Sequence, residues 1–132
     1  MNILTIIIRT LMGAGFIFFG LNIIHPFLPI PPMSPETLTA KFMVVMVPTH
    51  YMFFIGLFHL FGGLFVILGR TAPIGLVLLG PVLVNILAFH VFLQGGAGIV
   101  PGLVFSAMEI FLIYSYRKYF SPIFTFNAQI TR

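Results

Sequence analysis

Residues 56–69 read GLFHLFGGLFVILG, a run of apolar side chains and glycine with one titratable residue, His59, in its middle. An imidazole in such a run needs either water or a protein partner. Extended back to residue 50, the run supplies about 20 residues without a formal charge, the length of a bilayer-spanning helix.

The composition of the whole chain agrees. Of 132 residues, 60% are hydrophobic and 6% charged, and the mean hydropathy is +1.17, values that belong to an integral membrane protein. This length has room for one domain, with a core of helix packed on helix. Cysteine is absent, which excludes disulfides, thiol redox chemistry, iron–sulfur clusters and thiolate metal sites, so any redox role requires a borrowed cofactor. The formal charge of +4 comes from six basic residues dispersed along the chain. They form no stripe able to track phosphates, so anionic membrane lipids, and not nucleic acid, are the expected counter-charge. The N-terminal stretch MNILTIIIRTLMGAGFIFFG has no basic flank before its apolar run, and the run continues to about residue 24, so it reads as a retained span and not a cleavable signal.

Four segments qualify as spans by length and apolarity, at 2–24, 50–69, 73–94 and 102–119. They are separated by HPFLPIPPMSPE, GRTAP and QGGAGIVP, where proline and glycine stop a helix and open a turn. Residues 38–47, LTAKFMVVMV, are too short to cross and are expected to lie at the interface over the bundle mouth. The expected fold is therefore an all-α, integral membrane four-helix bundle with a short interfacial helix in its first external loop. Residues 1–120 form the four-span domain and 121–132 a cytoplasmic tail. Arg70, Arg117, Lys118 and Arg132 fall on the side of the N-terminus, and Lys41 falls alone on the other. By the positive-inside rule both termini are cytoplasmic.

A rise of about 1.5 Å per residue assigns each intramembrane polar group a depth from the cytoplasmic side. Arg9 comes out at roughly 10 Å, Glu109 at roughly 12 Å, His59 at roughly 15 Å and Asn85 at roughly 20 Å. Helical spacing puts Arg9 on a stripe with Gly13, Phe16 and Gly20, His59 between Gly56 and Gly63, and Glu109 on a stripe with Gly102, Ser106, Ile113 and Tyr116. Small residues let backbones approach in lipid, so these are inward faces, and His59 is expected in the membrane but against protein. Arg9, Glu109 and His59 are the candidate catalytic group: an ion pair inside the bundle with an imidazole beside it, able to exchange protons. The alternative for the pair is a register device, and Arg9 is shallow enough to snorkel. His59 is otherwise a hydrogen-bonded packing residue. Asn22, His25, His50 and His90 are expected to converge at the outer mouth and, with Asn85, to form a ligand-binding layer. Asn85 alternatively satisfies the carbonyl that Pro81 frees four residues earlier. No histidines stand at i, i+3 or i, i+4 spacing, so a bound metal is not expected, and the depth difference between His59 and His90 disfavours haem.

Three stretches, RTLMGAGFIFFGLN at 9–22, HLFGGLFVILGR at 59–70 and PVLVNILAFHVFL at 81–93, resemble the DoxX-like small membrane proteins, and the similarity extends over nearly the whole chain. The resemblance implies a four-helix bacterial inner-membrane protein, related to subunits of thiosulfate- or quinol-linked oxidoreductases. It matches Arg9 to the family's first-helix arginine. His59 stands where the family's E-x-x-G-G pattern carries glutamate, so a carboxylate role does not transfer to it. The expected function is a membrane component of a redox or quinone-linked system, with His59 or His90 hydrogen-bonding a quinone carbonyl, Glu109 trading protons and Arg9 stabilising the carboxylate. The competing classes are a non-enzymatic scaffold or assembly factor that docks a membrane protein partner or a second copy, and a small transporter or proton pathway.

Overall fold

The computed structural model describes residues 2–131, which contain helices and no strand. Helix α1 (Ile3–Ile24) starts where Asn2 accepts a hydrogen bond from the Leu4 N–H, and α2 (Leu38–Met46) starts where Thr37 accepts one from Ala40. These caps satisfy N–H groups left without intrahelical partners. Helix α3 (Tyr51–Leu68) ends at Gly69, whose φ of 75° continues no helix. Helix α4 (Ala72–Gln94) ends at Gly95 in the left-handed region, the usual glycine stop. Helices α5 (Val100–Ser115) and α6 (Arg117–Phe120) are followed by a short 3₁₀ turn at Ser121–Phe124.

Four helices close a ring: α1 packs on α3, α3 on α4, α4 on α5 and α5 back on α1. Glycines fix how they meet. A Cβ on Gly13 would lie 2.7 Å from the Gly63 carbonyl oxygen, and a Cβ on Gly20 would lie 3.1 Å from that of Gly56. As the number rises on α1 it falls on α3, so the two run antiparallel with backbones in contact. Gly75 meets the Gly62 carbonyl oxygen at 2.7 Å in the same sense, and Gly102 faces Leu87 while Gly80 faces Glu109. Every neighbouring pair is thus antiparallel, the arrangement of an up-down-up-down bundle. In an apolar solvent this close approach supplies the packing that water would otherwise drive. The centre is filled by Met12, Phe16, Val66, Leu76, Leu79, Leu83 and Leu112.

The outer surface is apolar too, with Phe92, Val84, Ile110 and Leu68 all exposed. Three helices, α1, α3 and α4, are long and apolar enough to cross a membrane, which is compatible with a multi-pass membrane protein. The segment expected as one span over 102–119 is instead α5 of 16 residues and a separate turn of helix. The break falls at Tyr116, whose ψ of 15° leaves the helical region. There Arg117 donates to the Tyr114 carbonyl at 3.1 Å, a basic side chain closing a helix C-terminus. The short helix expected over 38–47 is present as α2. It is tied to the end of α4 by Thr39, which donates to the Leu93 carbonyl at 3.3 Å, and by Phe42, whose ring is 5.5 Å from that of Phe89.

Candidate functional site

The half of the ring nearer α2 is hollow. A cavity of about 550 Å³ opens between α3 and α4 beneath α2, and its wall includes Phe42, Ile55, His59, Asn85, Phe89 and His90. A second, of about 340 Å³, lies between α1 and α5 and includes Phe16, Asn22, His59, His90 and Phe105. His59 and His90 belong to both walls, so the two imidazoles stand in the partition.

His59 is 4% exposed and packs 5.5 Å from the Phe16 ring. Gly20 on α1 makes room for it, since a Cβ there would come within 2.9 Å of the His59 Cβ. Its Nδ1 lies 2.9 Å from the Ile55 carbonyl one turn earlier. A carbonyl only accepts, so Nδ1 carries the proton and Nε2 is left as an acceptor. His90 follows the same logic: Nδ1 lies 2.9 Å from the Ala97 carbonyl and 2.5 Å from Gln94 Oε1. The tautomer is fixed by the backbone carbonyl, and the His90 Nε2 is likewise an acceptor. Each imidazole is therefore held by its own chain with its basic nitrogen free of any protein hydrogen bond. This is the acceptor pair of the site, whereas a bond to a quinone carbonyl calls for an N–H donor. Ile55 and Ala97 were not recognised as the positioning groups because a backbone carbonyl has no signature in sequence. Gln94, at i+4 from His90, does have one.

Asn85 is exposed on the wall of the larger cavity and makes no side-chain hydrogen bond. It does not satisfy the carbonyl freed by Pro81, and its amide remains available. Asn22 lines the smaller cavity, but its Oδ1 accepts from the Phe27 and Leu28 N–H groups at 3.0 and 2.9 Å. That assigns Asn22 the turn after α1. His25 and His50 are exposed and border neither cavity, so the expected convergence of Asn22, His25, His50 and His90 does not occur. His50 is instead the left-handed residue that opens α3, with φ of 61°. Among the described residues no group of three or more histidine or acidic side chains is placed to hold a metal.

The expected meeting of Arg9 and Glu109 does not occur either. Arg9 Nη1 donates to the Tyr116 hydroxyl at 3.3 Å, and the guanidinium lies against Gly69 at the C-terminal end of α3. The partial negative charge of that helix end, not a carboxylate, faces the cation. Glu109 is 5% exposed, and neither of its oxygens has a hydrogen-bond partner. The reason is side-chain direction: the Thr5–Ser115 hydrogen bond sets Arg9 and Glu109 nearly level, but on antiparallel helices side chains lean toward opposite ends. Tyr116 lies seven residues beyond Glu109, about 10 Å along a helix, while Glu109 is level with Gly80 in the middle of α4. Snorkelling carries Arg9 toward the helix ends and away from the acid. Neither Arg9 nor Glu109 borders either cavity, so the expected catalytic trio is divided between His59 in the cavity walls and two charged residues elsewhere.

Comparison with family models, with curated proteins and with solved structures finds no match to this chain.

Proposed function

We propose that the chain is a DoxX-like, four-span protein of the bacterial inner membrane that binds a lipid-soluble quinol, as the membrane component of a redox system. The single observation that carries this reading is the cavity between α3 and α4: about 550 Å³ of mostly apolar wall whose polar points are His59, His90 and the unpaired Asn85. A pocket of that size and character suits a small ring with a hydrocarbon tail. Two acceptor nitrogens call for O–H donors, so the reduced, hydroxyl-bearing form is the better partner. A quinol carries electrons together with protons. Imidazole Nε2 atoms beside its hydroxyls would orient the ring and receive those protons, and the apolar wall would keep out water.

Support would come from a quinol or quinone co-purifying in stoichiometric amount, with occupancy lost in His59→Leu and His90→Leu variants that keep their helicity. A lipid extract without either form, together with no saturable binding of a short-chain quinol, would sink the reading.

A second reading rests on Asn85 alone. An amide without a partner on a membrane-facing groove is also how one helix recognises another, so a scaffold or assembly role predicts a stoichiometric membrane partner or a second copy, lost in Asn85→Leu.

A further inference from the structure

Glu109 is the one acid within the expected spans, the other being Glu36 in the loop before α2. The residue is 5% exposed, and both carboxyl oxygens are buried without hydrogen-bond partners. The ionisable groups on the helices around it are otherwise engaged. Arg9 of α1 is with Tyr116 and Gly69, and His59 of α3 commits Nδ1 to Ile55. Tyr116 of α5 receives the Arg9 bond, and α4 contributes no acid or base beyond His90 at its outer end. A carboxyl so placed is not part of an ion pair.

Across α4 the wall is thin. A Cβ built on Gly80 would meet one atom within 4 Å, Glu109 Oε1 at 3.7 Å. At the other ring-closing glycines, Gly13, Gly63 and Gly75, a Cβ would strike backbone at 2.7 Å. Gly80 is itself partly exposed, and the α4–α5 seam is sparser than that between α1 and α3. The missing side chain leaves a shallow notch at Gly80, with the buried carboxyl directly behind it.

We propose that Glu109 is a proton-binding carboxyl that the lipid phase reaches through the Gly80 notch between α4 and α5. This stands independently of any ligand in the α3–α4 cavity, since Glu109 borders neither cavity.

Carbodiimides test it directly, because the two acids lie in different phases and one of them is an internal standard. The protonated carboxyl adds across a C=N bond: its proton goes to nitrogen, its oxygen bonds the central carbon, and an oxygen-to-nitrogen acyl shift leaves a stable N-acylurea. Atoms are conserved and no oxidant is needed. The full chain in phospholipid nanodiscs is treated with dicyclohexylcarbodiimide or with a water-soluble carbodiimide, and the adduct is mapped by peptide mass. The hydrophobic reagent is expected to modify Glu109, with loss of the adduct in Glu109→Gln and in Gly80→Leu, which fills the notch. The water-soluble reagent is expected to modify Glu36 and leave Glu109 free. Glu109 unmodified by the hydrophobic reagent, or modified by the soluble one as readily as Glu36, overturns the proposal. So does undiminished labelling of a helical Gly80→Leu variant. Should that variant not fold, the two reagents on the native chain decide alone.

Discussion

At the scale of single residues, Gly69 carries more constraint than its size suggests. Its φ of 75° lies in the region glycine favours, and a Cβ there would collide with the Arg9 guanidinium. Gly69→Ala is expected to lower stability by about 1–3 kcal/mol, read as a fall in the thermal midpoint in detergent. Arg9 and Glu109 give a second test. With no bond between them, the loss in the Arg9→Met, Glu109→Met double variant should equal the sum of the single effects within about 0.5 kcal/mol. Glu109→Met alone should raise the midpoint, by about 1 kcal/mol or more, because it removes two unsatisfied buried oxygens. A double variant more stable than the additive sum would restore the ion pair. His59 shows how far one residue can be read from sequence: its neighbours Gly56 and Gly63 announced a buried, protein-facing imidazole, and it is 4% exposed. Which nitrogen would be free was hidden, because that depends on a carbonyl of its own helix.

At the scale of elements, the glycines divide into those that set a seam and one that leaves a gap. Gly63→Ala brings a methyl to 2.7 Å from the Gly13 carbonyl oxygen, so α1 and α3 must part, at an expected cost of about 1–3 kcal/mol. Gly80→Ala finds ordinary contact at 3.7 Å and gains up to about 1 kcal/mol of helix propensity. Opposite signs in thermal unfolding are the expected outcome, and equal losses would mean the α4–α5 seam is closed. The helices themselves were legible. Those expected over 2–24, 38–47, 50–69 and 73–94 are found as Ile3–Ile24, Leu38–Met46, Tyr51–Leu68 and Ala72–Gln94, since apolar length and Pro/Gly breaks act locally. Side-chain direction between helices was not legible. Counting residues placed Arg9 and Glu109 at one depth, and the Thr5–Ser115 contact keeps them nearly level, but their side chains lean toward opposite ends of the bundle and Arg9 meets Tyr116 instead.

For the whole molecule, antiparallel neighbours place the start of α1 and the end of α5 at one end of the bundle, together with Arg70, Arg117 and Lys118, while Arg132 lies outside the described residues. On the positive-inside reading that end is cytoplasmic. In this cysteine-free background, a cysteine at Ser34 should react with an impermeant reagent applied to intact cells and one at Thr131 should not; the opposite pattern would invert the protein. The ring is also uneven in height. Helix α4 has 23 residues and α5 has 16, which are about 34 and 24 Å against a hydrocarbon core of about 30 Å. A bilayer around such a protein would meet its deepest hydrophobic mismatch at α5, thinning there while staying thick along α4. The thermal midpoint should therefore be higher in short-chain than in long-chain phosphatidylcholine. The thinned flank borders the α4–α5 seam, so membrane thickness, and with it acyl composition, sets how far headgroups and their water descend toward Glu109.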